Sequence, residues 1–269
     1  MNKLLKEEFS FADEILKGYT ALVCGASKGI GKATAQMLSR AGARVILCAR
    51  SKLELNKVVS ELHGEGHKIL VMDLEDIEAI EENILTLIGE VGDIQILINN
   101  SGGPPGGPLI ENDTTDFDGP FKRHLYASHV ITKLLIPGME RSQMGRIINV
   151  ISTSVREPID NIGLSNTLRG AMASWSKSLS REINPCITIN NILPGFTDTD
   201  RLSSLSKSIS EKTGKSINSV REEWMNSVPI QRLIDPLETA NAITWLSLPS
   251  SGAIRGISLA VDGGRMRSI

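Results

Sequence analysis

Short runs of β-branched and aliphatic residues alternate along this chain with longer stretches in which apolar positions recur every three or four residues. The short runs predict strands over residues 19–24, 45–49, 68–72, 95–98, 146–151, 187–192 and 257–261. Most are apolar at nearly every position rather than at every second one, the pattern of a parallel sheet covered on both faces. The longer stretches predict helices over 31–41, 52–63, 76–90, 115–135, 163–183 and 238–246. Strand followed by helix, repeated this regularly, predicts an α/β fold. It is a doubly wound Rossmann sheet of seven mainly parallel strands with helices on both faces. One domain over residues 1–269 accommodates the pattern, with residues 1–17 as an N-terminal extension.

Two segments break the rhythm. Residues 101–108, SGGPPGGP, are too rich in glycine and proline to continue a helix or a central strand, so they predict a loop. Residues 198–229 are polar, with few large apolar side chains before Trp224. A long excursion beyond a strand predicts a lid over a ligand site, with Trp224 and Met225 as its apolar wall.

Composition narrows the partners. The length suits one large domain, and 41% hydrophobic residues can fill a sizeable core. A net charge of -2 gives no reason to expect a nucleic acid or an anionic membrane as partner. No apolar run is long enough to cross a bilayer, and the N-terminal MNKLLKEEFSFADEILKG lacks the apolar core of a secretory signal. Cys24, Cys48 and Cys186 form no CxxC pair and no metal-ligand spacing. No metal is therefore expected, and a reducing, cytoplasmic setting is the simplest reading.

The most informative stretch is YTALVCGASKGIGKATAQML. An apolar strand ends at Cys24, and Gly25, Gly29 and Gly31 then form GxxxGxG before an alanine-rich helix. Glycine permits the tight turn and lets the backbone approach a pyrophosphate, which the first amides and the positive end of the helix would hold. A glycine triplet between a strand and a helix, about twenty residues before the next strand, is specific for a dinucleotide.

Here the chain resembles the short-chain dehydrogenase/reductase family, whose turn reads TGxxxGxG; Cys24 stands where threonine is usual. Five further motifs follow in the family's order. Asp73 in VMDLED is similar to the aspartate beside the adenine. ILINNSG, with Asn99, Asn100, Ser101 and Gly102, is similar to NNAG. GRIINVIS ends at Ser152, where the catalytic serine is carried. ILPGFTDTD, with Pro194, Gly195 and Thr199, is similar to the PG…T element that holds the nicotinamide, and VDGG is similar to the C-terminal signature. Only about the first fifteen residues and 201–226 fall outside these anchors. The resemblance implies cofactor contacts at Gly25, Ser27, Lys28, Gly29, Ile30, Gly31, Arg50, Asp73, Leu74, Asn100, Ser101, Gly102, Arg169, Pro194, Gly195 and Thr199.

An NAD-selective protein places a carboxylate at the end of the second strand to accept hydrogen bonds from the ribose 2′-hydroxyl. RVILCARS instead ends in Ala49 and Arg50. A planar cation suits a 2′-phosphate, and Lys28 adds a second positive charge in the glycine turn. The pair favours NADP(H) over NAD(H).

The catalytic positions depart from the family. Reduction of a carbonyl needs a proton donor near the developing alkoxide. The family uses a tyrosine thirteen residues after the serine, a lysine four residues further on, and an asparagine on the fourth helix. Those positions hold Ser165, Arg169 and His124 here, and only Ser152 is kept. KSLSRE, residues 177–182, continues the fifth helix as the family does, which fixes the frame. Tyr19 and Tyr126 are the chain's two tyrosines, and neither follows Ser152. Serine is too weak an acid to imitate tyrosine, and arginine does not lose a proton near neutrality. His124 is the leading replacement acid if it faces the site, although it could equally be a packed histidine. Tyr126 should point away from it. Ser152 could polarise a carbonyl, and Arg169 could stabilise an oxyanion with water as proton source.

Three readings follow: an NADP(H)-dependent oxidoreductase with an altered relay, a catalytically silent nucleotide-binding or partner-binding protein, and an enzyme of non-redox chemistry with His124 as base. A small-molecule substrate belongs to the first and third. The resemblance also implies a homodimer or homotetramer, for which Leu125, Val130, Leu134, Met172, Trp175 and Leu179 supply apolar positions. The alternative is that they pack on their own sheet.

Overall fold

The apolar runs become strands in the computed structural model, which describes residues 3–268; Met1, Asn2 and Ile269 lie outside the described residues. The strands are β1 Thr20–Cys24, β2 Arg44–Ala49, β3 Lys68–Val71, β4 Ile96–Asn99, β5 Gly145–Val150, β6 Ile187–Pro194 and β7 Ser258–Val261. They form one sheet in the order β3-β2-β1-β4-β5-β6-β7, and every neighbouring pair is parallel. The helices are α1 Lys3–Lys6, α2 Gly29–Arg40, α3 Lys52–Val59, α4 Ile77–Val91, α5 Thr115–Phe121, α6 Ala127–Arg141, α7 Gly163–Glu182, α8 Asp200–Thr213, α9 Ile217–Asn226 and α10 Pro236–Ser247.

Successive strand residues explain why the runs are apolar throughout. Ala21 and Val23 face one layer, built with Leu38 of α2 and Ile243 and Leu246 of α10. Leu22 and Cys24 face the other, built with Ile80 and Ile84 of α4 and Ile131 and Leu135 of α6. Both faces are covered over the inner strands, which are buried almost throughout, whereas the edge strands β3 and β7 are only partly covered. The connections run opposite ways from β1 and β4, which opens a crevice at the carboxyl ends of those two strands.

Polar side chains also cross the sheet. Asn99 Nδ2 donates to Asn149 Oδ1 at 2.9 Å, Asn149 Nδ2 to Asn191 Oδ1 at 2.9 Å, and Asn191 Nδ2 to the Ser258 hydroxyl at 3.2 Å. These four residues are register partners on β4, β5, β6 and β7.

Four elements differ from the sequence expectation. The helix expected over 115–135 is α5, a π-helical turn at Lys122–Tyr126 and α6, which runs on to Arg141. Pro120 inside α5 lacks a backbone N–H, so the regular ladder fails there and a wider turn takes over. The helix expected over 52–63 ends at Val59. Residues 198–229 are two helices rather than an irregular excursion. Thr199 and Ser216 cap their starts, and Gly214 at φ 72° ends the first. Their buried faces are small, Leu202, Ser206 and Val220, so the helical period is faint in a serine-rich sequence. The N-terminal extension is tied down as well: Leu5 is buried against Ala33, Met37, Leu237 and Ala240, with Phe9 and Phe11 alongside.

Candidate active site

The glycine turn sits at the crevice. Gly25 and Gly29 adopt φ 61° and 56°, a region that glycine enters without strain. A Cβ on Gly31 would stand 2.2 Å from the Gly25 carbonyl oxygen, and one on Gly25 would stand 2.6 Å from Asn100 Nδ2. Asn100 fastens this turn to the end of β4, donating from Nδ2 to the carbonyls of Cys24 and Gly25 at 3.2 and 3.4 Å. Among the described residues no side chain caps α2, although Ser51, Asp76, Thr199, Ser216 and Asp235 cap α3, α4, α8, α9 and α10. The first amides of α2 and its positive end therefore stay open to an anion.

The remaining expected cofactor positions lie around this turn. Ser27 is half-buried in it, and Ile30 packs on the core beneath. Lys28 reaches Asp200 at 3.9 Å, and Arg50, just past β2, reaches Asp73 at 3.9 Å; both bases are largely exposed. Leu74 packs on the opposite core layer. Ser101 and Gly102 follow β4, and Pro194 ends β6. Gly195 passes Asp262 so closely that a Cβ would lie 2.7 Å from its Cα. Thr199 faces the turn: its Cγ2 is 3.2 Å from where a Cβ on Gly29 would be. The structure thus brings Thr199 of the PG…T element into contact with the glycine turn.

The expected catalytic positions differ in what they are bonded to. Ser152 follows β5, and its Oγ accepts a hydrogen bond from the Ser154 N–H at 3.0 Å. Arg169 is buried on α7, its Nη1 donating to the Val150 carbonyl at 2.9 Å, while its Nε has no partner among the described residues. Burial, then the charges of Arg201 and Arg123, push its pKa down to about 10, which leaves it a cation at neutral pH. Ser165 lies one turn before Arg169, half-buried on the same helix face.

His124 is not placed as the replacement acid requires. Its Nε2–H donates to the Gly102 carbonyl at 3.0 Å, and the Ser101 hydroxyl donates to its Nδ1 at 2.7 Å. A carbonyl only accepts, which fixes the tautomer. Burial first, and the Arg169 charge second, push its pKa well below the ordinary imidazole value, against a smaller opposing effect of the Gly102 carbonyl. A neutral ring with both nitrogens engaged is a clamp on the loop after β4. The π-helical turn sets this rotation and leaves Tyr126 half exposed, pointing away as expected.

Sequence reasoning missed two arginines. Arg201, at the start of α8, donates from Nη2 to the Pro104 carbonyl at 2.6 Å. Arg123, from the π-helical turn, is paired with Glu75, and its Nε is buried without a partner among the described residues. Their only signal was position, Arg201 directly following the PG…T element. Trp224 of α9 stacks on Phe196 with ring centroids 5.4 Å apart, and Arg265 covers the same ring at 5.3 Å. Of the expected assembly positions, Met172 is core, packed with Ile151 and Leu193. Leu125, Val130, Leu134, Trp175 and Leu179 are half-buried.

A family model described as short chain dehydrogenase matches residues 19–210. Over 252 residues the chain is 34% identical to the 3-oxoacyl-[acyl-carrier-protein] reductase FabG of Vibrio harveyi, covering 93% of this chain and 98% of that one. Among solved structures it is similar to YwfH, an NADPH dependent reductase involved in bacilysin biosynthesis. The TM-score is 0.88 at 27% identity, over 93% of this chain and 99% of that one. It is also similar to a variant of the actinorhodin polyketide ketoreductase with NADPH. There the TM-score is 0.88 at 26% identity, over 96% and 100% of the two chains. Among the described residues no helix is long and apolar enough to cross a membrane, and no cluster of metal-ligating side chains occurs.

Proposed function

The chain belongs to the short-chain dehydrogenase family, and on that footing we propose that it is an NADP(H)-dependent oxidoreductase acting on a carbonyl or alcohol through an altered proton relay. The uncapped N-terminus of α2 behind a glycine turn carries this reading, because its open amides suit a pyrophosphate. Ser27, Lys28, Gly29, Ile30 and Gly31 would hold that group, with Asp73 and Leu74 on the adenine side. Asn100, Ser101, Gly102, Arg169, Pro194, Gly195 and Thr199 would hold the nicotinamide side. Arg50 and Lys28, only loosely paired, favour a 2′-phosphate and so NADP(H) over NAD(H). NADPH in the descriptions of both similar solved structures supports that choice. When bound, the nicotinamide supplies or accepts the hydride.

The chain's own residues handle the oxygen. In the reducing direction the carbonyl carbon gains a hydride and its oxygen a proton. Ser152 already accepts a bond from Ser154, so its hydroxyl hydrogen is free for the substrate oxygen. Arg169 stabilises the developing alkoxide by charge and stays protonated at neutral pH. The proton then comes from water, admitted where Ser165 is smaller than a phenol. The α8–α9 pair closes the cleft as a lid, with Trp224 and Met225 toward its base. A reducing, cytoplasmic setting keeps Cys24, Cys48 and Cys186 as free thiols, and the family suggests a homodimer or homotetramer.

Titration of the purified protein with NADPH and NADH, followed by nicotinamide fluorescence, tests this directly. NADPH should bind at least about tenfold more tightly, and Arg50→Ala should remove most of that margin. Absence of binding by either nucleotide at millimolar concentration refutes the proposal. A silent nucleotide-binding protein is the second reading, favoured by the engaged, neutral His124. NADPH binding without turnover of any carbonyl would select it.

A further inference from the structure

The loop after β4 is flanked by two guanidinium groups that no carboxylate balances among the described residues. Arg169 is buried, and its hydrogen bond to the Val150 carbonyl satisfies one N–H without balancing the charge. Its Nε is left without a partner among the described residues. Arg201 likewise bonds a backbone carbonyl, that of Pro104. Among the described residues neither guanidinium forms an ion pair; the nearby carboxylates Glu75, Asp198 and Asp200 are paired with Arg123, Arg221 and Lys28. Both unpaired groups converge on Gly103. A Cβ there would stand 3.6 Å from Arg169 Nη2 and 3.9 Å from Arg201 Nη2, so the two cations flank a space that glycine leaves open. Arg123 stands nearby with its charge balanced by Glu75, although its own Nε is buried and unpartnered among the described residues.

A buried cation without a counter-charge, with a second cation beside it at the cleft surface, calls for an anion. Ribose hydroxyls would occupy a donor such as Arg169 Nε, but being neutral they would leave the charge unbalanced. Two planar forks around one opening match the two oxygens of a carboxylate. We infer that the substrate carries a carboxylate a few atoms from its reacting carbonyl, a short keto acid or the corresponding hydroxy acid, and that Arg169 and Arg201 hold that carboxylate beside Gly103. The inference rests on the oxidoreductase reading for its reacting carbonyl. The spacing to Ser152 supports a short molecule, since Arg169 is anchored to Val150, two residues before that serine.

The test compares NADPH oxidation by 2-oxo and 3-oxo acids of three to six carbons with that by their methyl esters, in the wild type and in Arg201→Gln. Arg201 is exposed on α8, so the variant should fold. The acids should exceed the esters in kcat/KM by about tenfold or more, and Arg201→Gln should remove most of that margin by raising KM for the acids alone. Esters reduced as well as acids, or a margin untouched by the variant, would overturn the carboxylate clamp while leaving the oxidoreductase reading standing. If neither acids nor esters are reduced, the short keto acid is refuted as substrate while the oxidoreductase reading stands or falls on the nucleotide titration, and calorimetric titration of malonate into the same proteins decides the clamp separately. Malonate binding that weakens about tenfold in Arg201→Gln supports it, whereas no binding, or equal binding by both proteins, overturns it.

Discussion

Replacing His124 by asparagine should destabilise the protein by an amount that shrinks in acid. At pH 8 the variant loses the hydrogen bonds to Ser101 and Gly102, each about 1 kcal/mol net, and roughly another 1 kcal/mol of packing. Gly102 is exposed and Ser101 half-buried, so water can re-satisfy both groups and the total should stay near 2–3 kcal/mol. The acid arm follows from the depressed pKa of the buried ring. The unfolded chain protonates this imidazole below about pH 6.5, while the folded protein refuses the proton until well below that. The stabilisation it brings is therefore complete above the unfolded value and is lost as pH falls toward the folded one. The slope is at most about 1.4 kcal/mol per unit, so the wild type should give up roughly 1.4 kcal/mol between pH 8 and 5.5 on this account. The asparagine variant has no such proton to take up. His63, His67 and His129 are common to both proteins and cancel in the difference. Urea unfolding at constant ionic strength, followed by tryptophan fluorescence, gives both gaps. A gap that stays constant or widens at pH 5.5 would show that folded His124 accepts a proton, and the neutral-clamp argument would fail.

Gly31→Ala puts a Cβ into the Gly25 carbonyl; it should weaken NADPH binding by about a hundredfold or more, because the backbone cradle has to open. A dissociation constant close to wild type in a fluorescence titration would rule the turn out as the nucleotide site. Asn149→Leu strands the Asn99 donor and the Asn191 acceptor inside the sheet. It should cost about 3–5 kcal/mol in urea unfolding, and a loss below about 1 kcal/mol would mean the amide chain contributes little.

What could be read from the sequence was whatever a short window determines. The strands could be read because the inner ones are buried on both sides, and the glycine turn because its sterics involve adjacent residues. Other features depend on distant or cumulative geometry. The direction of His124 depends on a π-helical turn that follows Pro120, and one wider turn rotates every side chain after it. Arg169 and Arg201 come from separate helices and meet at Gly103 only once the loop after β4 is in place. The α8–α9 pair was hidden because serine and lysine fill positions where apolar residues would have marked a helical face.

The asparagine row across the sheet also bears on how the chain reaches its native state. Its members lie 50, 42 and 67 residues apart, so no part of it can form from local contacts. A nascent chain that ends before β6 would bury Asn149 with its donor unanswered, which makes half a sheet a poor resting point. Consolidation of β4 to β7 is then a late, concerted event that awaits the last strand, as expected where loop closure over long separations precedes its reward. Until Ser258 arrives, the long buried strand β6 is the sheet edge in place of the short β7, and it is vulnerable to association with its neighbours.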